Sequence, residues 1–134
     1  MTHVADTRFL LVHTFPADES ERDRIRELMH RSLREGLVIP SVVVTEYFRT
    51  AGRKIGKQGV STQISVLKEN GAEIFDIDED TAFLAGELAL KNERRSIGDT
   101  LIAATALVTK ASHVVTDDPH FHEFGLRTKW ILST

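Results

Sequence analysis

Apolar residues fall along this chain in two alternating patterns: short unbroken runs, and longer stretches where they recur every three or four positions. The runs Val4-Ala5, Leu37-Val38-Ile39, Glu73-Ile74-Phe75-Asp76-Ile77, His113 to Thr116 and Lys129-Trp130-Ile131-Leu132 predict five short strands. Between them the spacing predicts helices. Thr7 to about His13 carries Phe9, Leu10 and Leu11 and is stopped by Pro16. Glu19 to Arg34 sets Ile25, Leu28, Met29, Ser32 and Leu33 on one face against arginines and acids on the other, and Gly36 ends it. Pro40 and Ser41 open a helix to about Ile55, before Gly56; another runs from about Val60 to Glu69 and ends at Asn70-Gly71. Asp78 to Asp80 cap a helix through Lys91, and Gly98 to Thr109, apolar on most sides, reads as a buried helix. Short apolar strands alternating with helices predict a three-layer α/β/α sandwich around a mainly parallel sheet of about five short strands. In that class ligands bind beyond the carboxyl ends of the strands.

The 134 residues make one domain, residues 1–134, with room for a single sizeable core and no internal repeat. The absence of cysteine excludes disulfides and thiolate metal sites. No basic segment followed by an apolar one opens the chain, and no apolar run approaches the roughly 20 residues that span a bilayer. The expectation is a cytoplasmic protein with no membrane contact. A net charge of −3 argues against wholesale coating of nucleic acid, but the charge is unevenly spread. Arg49, Arg53, Lys54, Lys57 and Lys68 follow one another with no acid between them; Glu69, Glu73, Asp76, Asp78, Glu79 and Asp80 follow with no base. Such a basic strip suits backbone phosphates, and equally a solvated helix face.

Four acids sit at the edges of core-forming segments, where a carboxylate is costly unless hydrogen-bonded, paired or bound to a cation. Asp6 closes the first apolar run, Glu46 interrupts Val42 to Phe48, Asp99 opens Leu101-Ile102-Ala103-Ala104, and Asp118 follows Val114-Val115-Thr116. Each has a plainer reading. Asp6 before Thr7 suits a helix N-cap, Asp99 three residues after Ser96 suits a capping box, and Asp117-Asp118 before Pro119 suit a turn. Glu46 stands in mid-helix, where no cap is needed; its plainer role is an ion pair with Arg49.

Taken jointly, these positions resemble the PIN domain, the metal-dependent ribonuclease fold found in the toxins of VapBC-type toxin–antitoxin pairs. Asp6-Thr7 after a short first strand, Pro40 with Glu46 in an apolar helix, Gly98-Asp99-Thr100-Leu101-Ile102-Ala103-Ala104-Thr105-Ala106, and Val114-Val115-Thr116-Asp117-Asp118-Pro119-His120-Phe121 are similar to that family's four motifs, in its order and spacing, across roughly residues 2–132. The resemblance implies hydrolysis of RNA phosphodiester bonds, with Asp6, Asp99 and Asp118 as ligands of Mg²⁺ or Mn²⁺. It implies that Glu46 acts on the metal through water or orients the attacking water, and that Thr7 and Thr116 position the carboxylates. The Thr-x-Asp register selects Asp118, leaving Asp117 an outer role. Arg49, Arg53, Lys54 and Lys57, downstream of Glu46, would grip RNA phosphates. The resemblance further implies a homodimer and a cognate antitoxin that reaches into the acidic pocket.

Two other readings remain: a non-catalytic α/β module binding RNA or protein, its acids serving as caps and ion pairs, and a receiver-like phosphoacceptor. The receiver wants its acidic pair after the first strand, whereas Asp117-Asp118 follow a late one. No Gly-x-Gly-x-x-Gly follows the first strand and there is no P-loop, which argues against a dinucleotide or nucleoside triphosphate. His120 and His122 lack a third nearby zinc ligand, and Ser61, Ser65 and Ser96 lack a nucleophile elbow.

Overall fold

The computed structural model describes residues 1–131. Five strands, β1 (His3–Ala5), β2 (Leu37–Pro40), β3 (Glu73–Phe75), β4 (His113–Val115) and β5 (Thr128–Lys129), form one sheet in the order β3-β2-β1-β4-β5. All four pairings are parallel, with Val4 opposite both Val38 and Val114. Val4, Ala5, Ile39, Val114 and Val115 are wholly buried. A parallel sheet covered on both faces buries every residue of its central strands, which is why they read as unbroken apolar runs. Each such side chain contributes about 1.5–3 kcal/mol on burial.

Five α-helices supply the covering layers: α1 (Thr7–Thr14), α2 (Glu19–Glu35), α3 (Ser41–Glu69), α4 (Glu79–Lys91) and α5 (Ile97–Val108), with a 3₁₀ helix at Pro119–Phe124. α1 packs on α2 and α3, while α5 packs on α4 and lies against β1, β2 and β4. Local chemistry starts the helices where the sequence predicts. Asp18 accepts from Glu21 N at 2.8 Å, Asp78 from Thr81 N at 2.8 Å, and Ser96 from Asp99 N at 3.1 Å, each satisfying an otherwise orphaned N–H. At the amino end of the sheet, buried His3 pairs with Glu35 and ties β1 to the end of α2.

The break expected at Gly56 is present: α3 is two helices that meet at a kink there, where Gly56 takes a φ of 72° that a side chain would resist. Two boundaries differ from expectation. The third strand stops at Phe75, because its partner β2 ends at Pro40. The last strand is the two residues Thr128–Lys129 beside β4 rather than a run from Lys129, and Leu132 lies outside the described residues. Among the described residues no helix is long and apolar enough to cross a membrane.

Candidate active site

The strand order reverses direction at β1: β2 and β3 lie to one side, β4 and β5 to the other. Beyond the carboxyl end of a sheet, such a switch point opens a crevice. Asp6 leaves β1 there, and the backbone leaves β4 there through Thr116 to Asp118. Asp6 caps α1, its Oδ1 accepting from Thr7 N at 2.7 Å. Its Oδ2 accepts from the Thr116 hydroxyl at 2.6 Å, across 110 residues of sequence. The same hydroxyl oxygen accepts from Asp118 N at 3.0 Å, so Thr116, fully enclosed, fixes both acids at once.

Glu46 reaches this crevice from α3. Its Oε1 accepts from the Thr7 hydroxyl at 2.7 Å, so the side chain is anchored by Thr7, not by the Arg49 pairing that mid-helix spacing suggests. Its other oxygen lies against the first turn of α5: a Cβ on Gly98 would stand 2.7 Å from Oε2, closer than side chains approach. Asp99, the third residue of α5, stands next to that contact and donates its N–H to Ser96. Asp118 caps the 3₁₀ helix, accepting from His120 N at 2.9 Å and meeting His120 Nδ1 at 2.8 Å.

The acids feel one another. Burial is the main force pushing the Asp6 carboxyl up to about 6; its two hydrogen bonds oppose this, while the charges of Asp99 and Glu46 push it further. Asp99 is also raised, first by burial and then by repulsion from Asp118 and Glu46, against the pull of Ser96 and Arg95. The plainer local roles also hold, with Asp6 capping α1, Ser96 capping α5 through Asp99 N, and Asp118 bonding its own turn, yet none of them requires Asp6 and Asp99 to lie near Glu46 or Asp118 to lie near Asp99. Asp117 stands apart from the group: its carboxylate accepts from Arg8 Nε at 2.9 Å in an exposed pair.

Among the described residues no three carboxylate or histidine side chains form a closed metal cluster. The donor set is oxygen only, partly desolvated and mutually repelling, which is the chemistry a hard divalent cation relieves. Such an ion binds one or two carboxylates directly and keeps water elsewhere, so an open arrangement suits it.

The basic strip is only partly gathered. Arg49, Arg53 and Lys54 line an open groove of about 450 Å³ with Thr50, and Lys54 Nζ also lies 4.8 Å from the Phe15 ring centre. Lys57, four residues beyond Arg53, would share its face on an unbroken helix, but the break at Gly56 leaves it out of the groove's lining. Sequence reasoning missed the closeness of Gly98 to Glu46, the charge of Arg95 beside Asp99, and the pairing of His120, itself an exposed residue, with Asp118. Their only sequence signal was adjacency, Gly98 preceding Asp99, Arg95 preceding Ser96, and His120 two beyond Asp118.

The PIN domain family profile matches residues 4–126. The chain belongs to the PIN domain family. Its fold is similar to that of Mycobacterium tuberculosis VapC20, a toxin that cleaves the sarcin-ricin loop, with a TM-score of 0.76 at 15% identity over 93% of this chain and 96% of that one. VapBC2 from Rickettsia felis, bound to a DNA fragment from its promoter, gives 0.75 at 20% identity over 98% and 100%. DNA-bound VapBC from Salmonella typhimurium gives 0.67 at 21% over 97% and 98%. No curated protein matches the chain.

Proposed function

We propose that this PIN domain is a metal-dependent endoribonuclease, the toxin of a type II toxin–antitoxin pair, acting in the cytoplasm. The observation that carries the reading is the convergence of Asp6, Glu46, Asp99 and Asp118 at the switch point, with Asp6 and Asp99 both pushed up by burial and by neighbouring acids. Asp6, Asp99 and Asp118 would hold Mg²⁺ or Mn²⁺, and the ion would supply an activated water and offset charge on the scissile phosphate. Glu46, anchored by Thr7, would act on the metal through water or orient the attacking water. Thr116 keeps Asp6 and Asp118 in register, and Asp117 stays outside, paired with Arg8. Arg49, Arg53 and Lys54 take RNA phosphates along the α3 groove, with Lys57 a more distant contact.

Protein partners belong to the same proposal. Phe83 and Leu90, 68% and 78% exposed, line one apolar groove along α4 with Ala82 and Gly86, a surface that a second copy of the chain or an antitoxin would cover. The VapBC structures of similar fold support an antitoxin partner. The local cap bonds favour one rival, a non-catalytic module of the same fold, and metal linkage separates the two. Thermal melts in Mn²⁺, Ca²⁺ and EDTA, beside cleavage of a mixed single-stranded RNA, make the test. Mn²⁺ at ~100-fold above Kd should stabilise by about 2.7 kcal/mol and support cleavage. Identical melting in all three, with no cleavage, would leave only the non-catalytic module.

A further inference from the structure

A second basic cavity, of about 540 Å³, opens between the α4–α5 connection and the 3₁₀ helix. Lys91, Arg94, Arg95 and His120 line it, together with Glu93 and Glu123. One contact and one longer-range charge effect join it to the acidic site. His120 meets Asp118 at 2.8 Å, and the charge of Arg95 acts on the Asp99 carboxyl. Arg95 is the most enclosed of these cations, its side chain 17% exposed, and its Nε lies 3.4 Å from Glu123 Oε2. That pairing occupies one of the two acids and orients the guanidinium. Among the described residues Lys91 and Arg94 have no ion-pair partner, so the cavity carries unmatched positive charge.

A polyanion approaching four carboxylates is repelled unless cations flank its path. The groove of Arg49, Arg53 and Lys54 is one flank, and it belongs to α3, the helix that carries Glu46. The cavity of Lys91, Arg94 and Arg95 borders the acids on another side, through His120 on Asp118. Its size falls in the roughly 300–1,000 Å³ range of small-ligand sites, enough for a nucleotide with its phosphate. We propose that Lys91, Arg94 and Arg95 form a phosphate-binding subsite for the RNA strand on the Asp99–Asp118 side of the scissile bond. This rests on the ribonuclease reading. Guanidinium groups suit the subsite because their planar donors match phosphate oxygens in pairs. His120, fixed on Asp118, forms the wall between subsite and acids.

The test uses the full chain and a labelled mixed-sequence single-stranded RNA of about 20 nucleotides, with binding titrated against salt in EDTA. Lys91→Gln/Arg94→Gln alters two side chains outside the hydrophobic core. Each lost contact should lower the log–log salt slope by roughly 0.7 for single strands, or about fivefold in affinity at 0.1 M salt (10 to the power 0.7). The double variant should therefore lose about 1.4 in slope and about 25-fold in affinity. Its circular dichroism and its urea denaturation midpoint should match wild type, which those of a merely misfolded variant would not. Arg95→Gln provides the second readout, with a further fall in slope.

An Arg49→Gln/Arg53→Gln variant separates the two ways of failing. If it lowers the slope while the Lys91/Arg94 variant leaves it unchanged, the subsite is refuted and the ribonuclease reading survives. If the wild type neither binds nor cleaves RNA, both fall. Unaltered RNA binding with lost affinity for an oligoglutamate peptide would assign the cavity to an acidic protein segment and overturn the proposal.

Discussion

Gly98→Ala probes the site without touching any acid. Glu46 is held from two sides: the Thr7 hydroxyl donates to Oε1 at 2.7 Å, and Oε2 lies where a Cβ on Gly98 would stand, also 2.7 Å away. The Glu46 carboxyl carbon would be 3.2 Å from that Cβ, so the carboxylate must move as a unit. The expectation is that this shift costs the Thr7 bond, although Glu46 is a flexible side chain. A hydrogen bond to a charged group contributes about 1.5–3 kcal/mol. Against this, alanine is favoured over glycine within a helix by up to about 1 kcal/mol. The net expectation is destabilisation by about 0.5–2 kcal/mol, read by urea denaturation in EDTA. In a Glu46→Ala background the new methyl meets no carboxylate, and the same change should stabilise by up to about 1 kcal/mol. The loss of Glu46's charge relieves Asp6 and Asp99 in both members of that pair and cancels. The double-mutant cycle should therefore return a coupling of about 1.5–3 kcal/mol between positions 46 and 98, which are otherwise far apart in sequence. RNA cleavage should fall in Gly98→Ala, because Glu46 no longer holds its place. A Gly98→Ala protein that is more stable than wild type and equally active would refute the idea that Gly98 sets the position of Glu46.

Asp6 gives a pH signature. Its carboxyl, raised from 3.8 to about 6 in the folded chain, binds protons there that the unfolded chain has already released, so metal-free stability should fall as pH rises from about 4 to about 6. The difference of about two pH units corresponds to about 3 kcal/mol, which Asp6→Asn should abolish; urea denaturation of both proteins in EDTA at pH 4 and pH 7 measures it, and equal pH dependence in the two would count against a desolvated Asp6. Asp99→Asn should leave metal-free stability unchanged or slightly raised, since one repelling charge is gone while the N–H to Ser96 remains. It should also remove cleavage of a mixed single-stranded RNA, and retained cleavage would return Asp99 to a purely local role beside the cap.

What the sequence determined is what depends on near neighbours. Helix starts at Asp18, Asp78 and Ser96 are set by a side chain bonding an N–H three residues on, and the α2 stripe of Ile25, Leu28, Met29 and Ser32 is set by helical period. Buried parallel strands announce themselves as unbroken apolar runs, so the sandwich, its approximate strand count and its four exceptional acids were legible in one dimension. Strand ends were not, because a strand lasts only as long as its partner: β3 stops with β2, and β5 pairs for two residues. Only the tertiary structure decided that the sheet reverses at β1, which brings Thr116 onto Asp6 from 110 residues away. It also decided that Glu46 leans on Thr7 and Gly98 rather than Arg49, that Asp117 turns to Arg8, and that Gly56 parts Lys57 from its neighbours. These are contacts between elements, chosen by how two helical layers pack onto opposite faces of one sheet, and no local period encodes them.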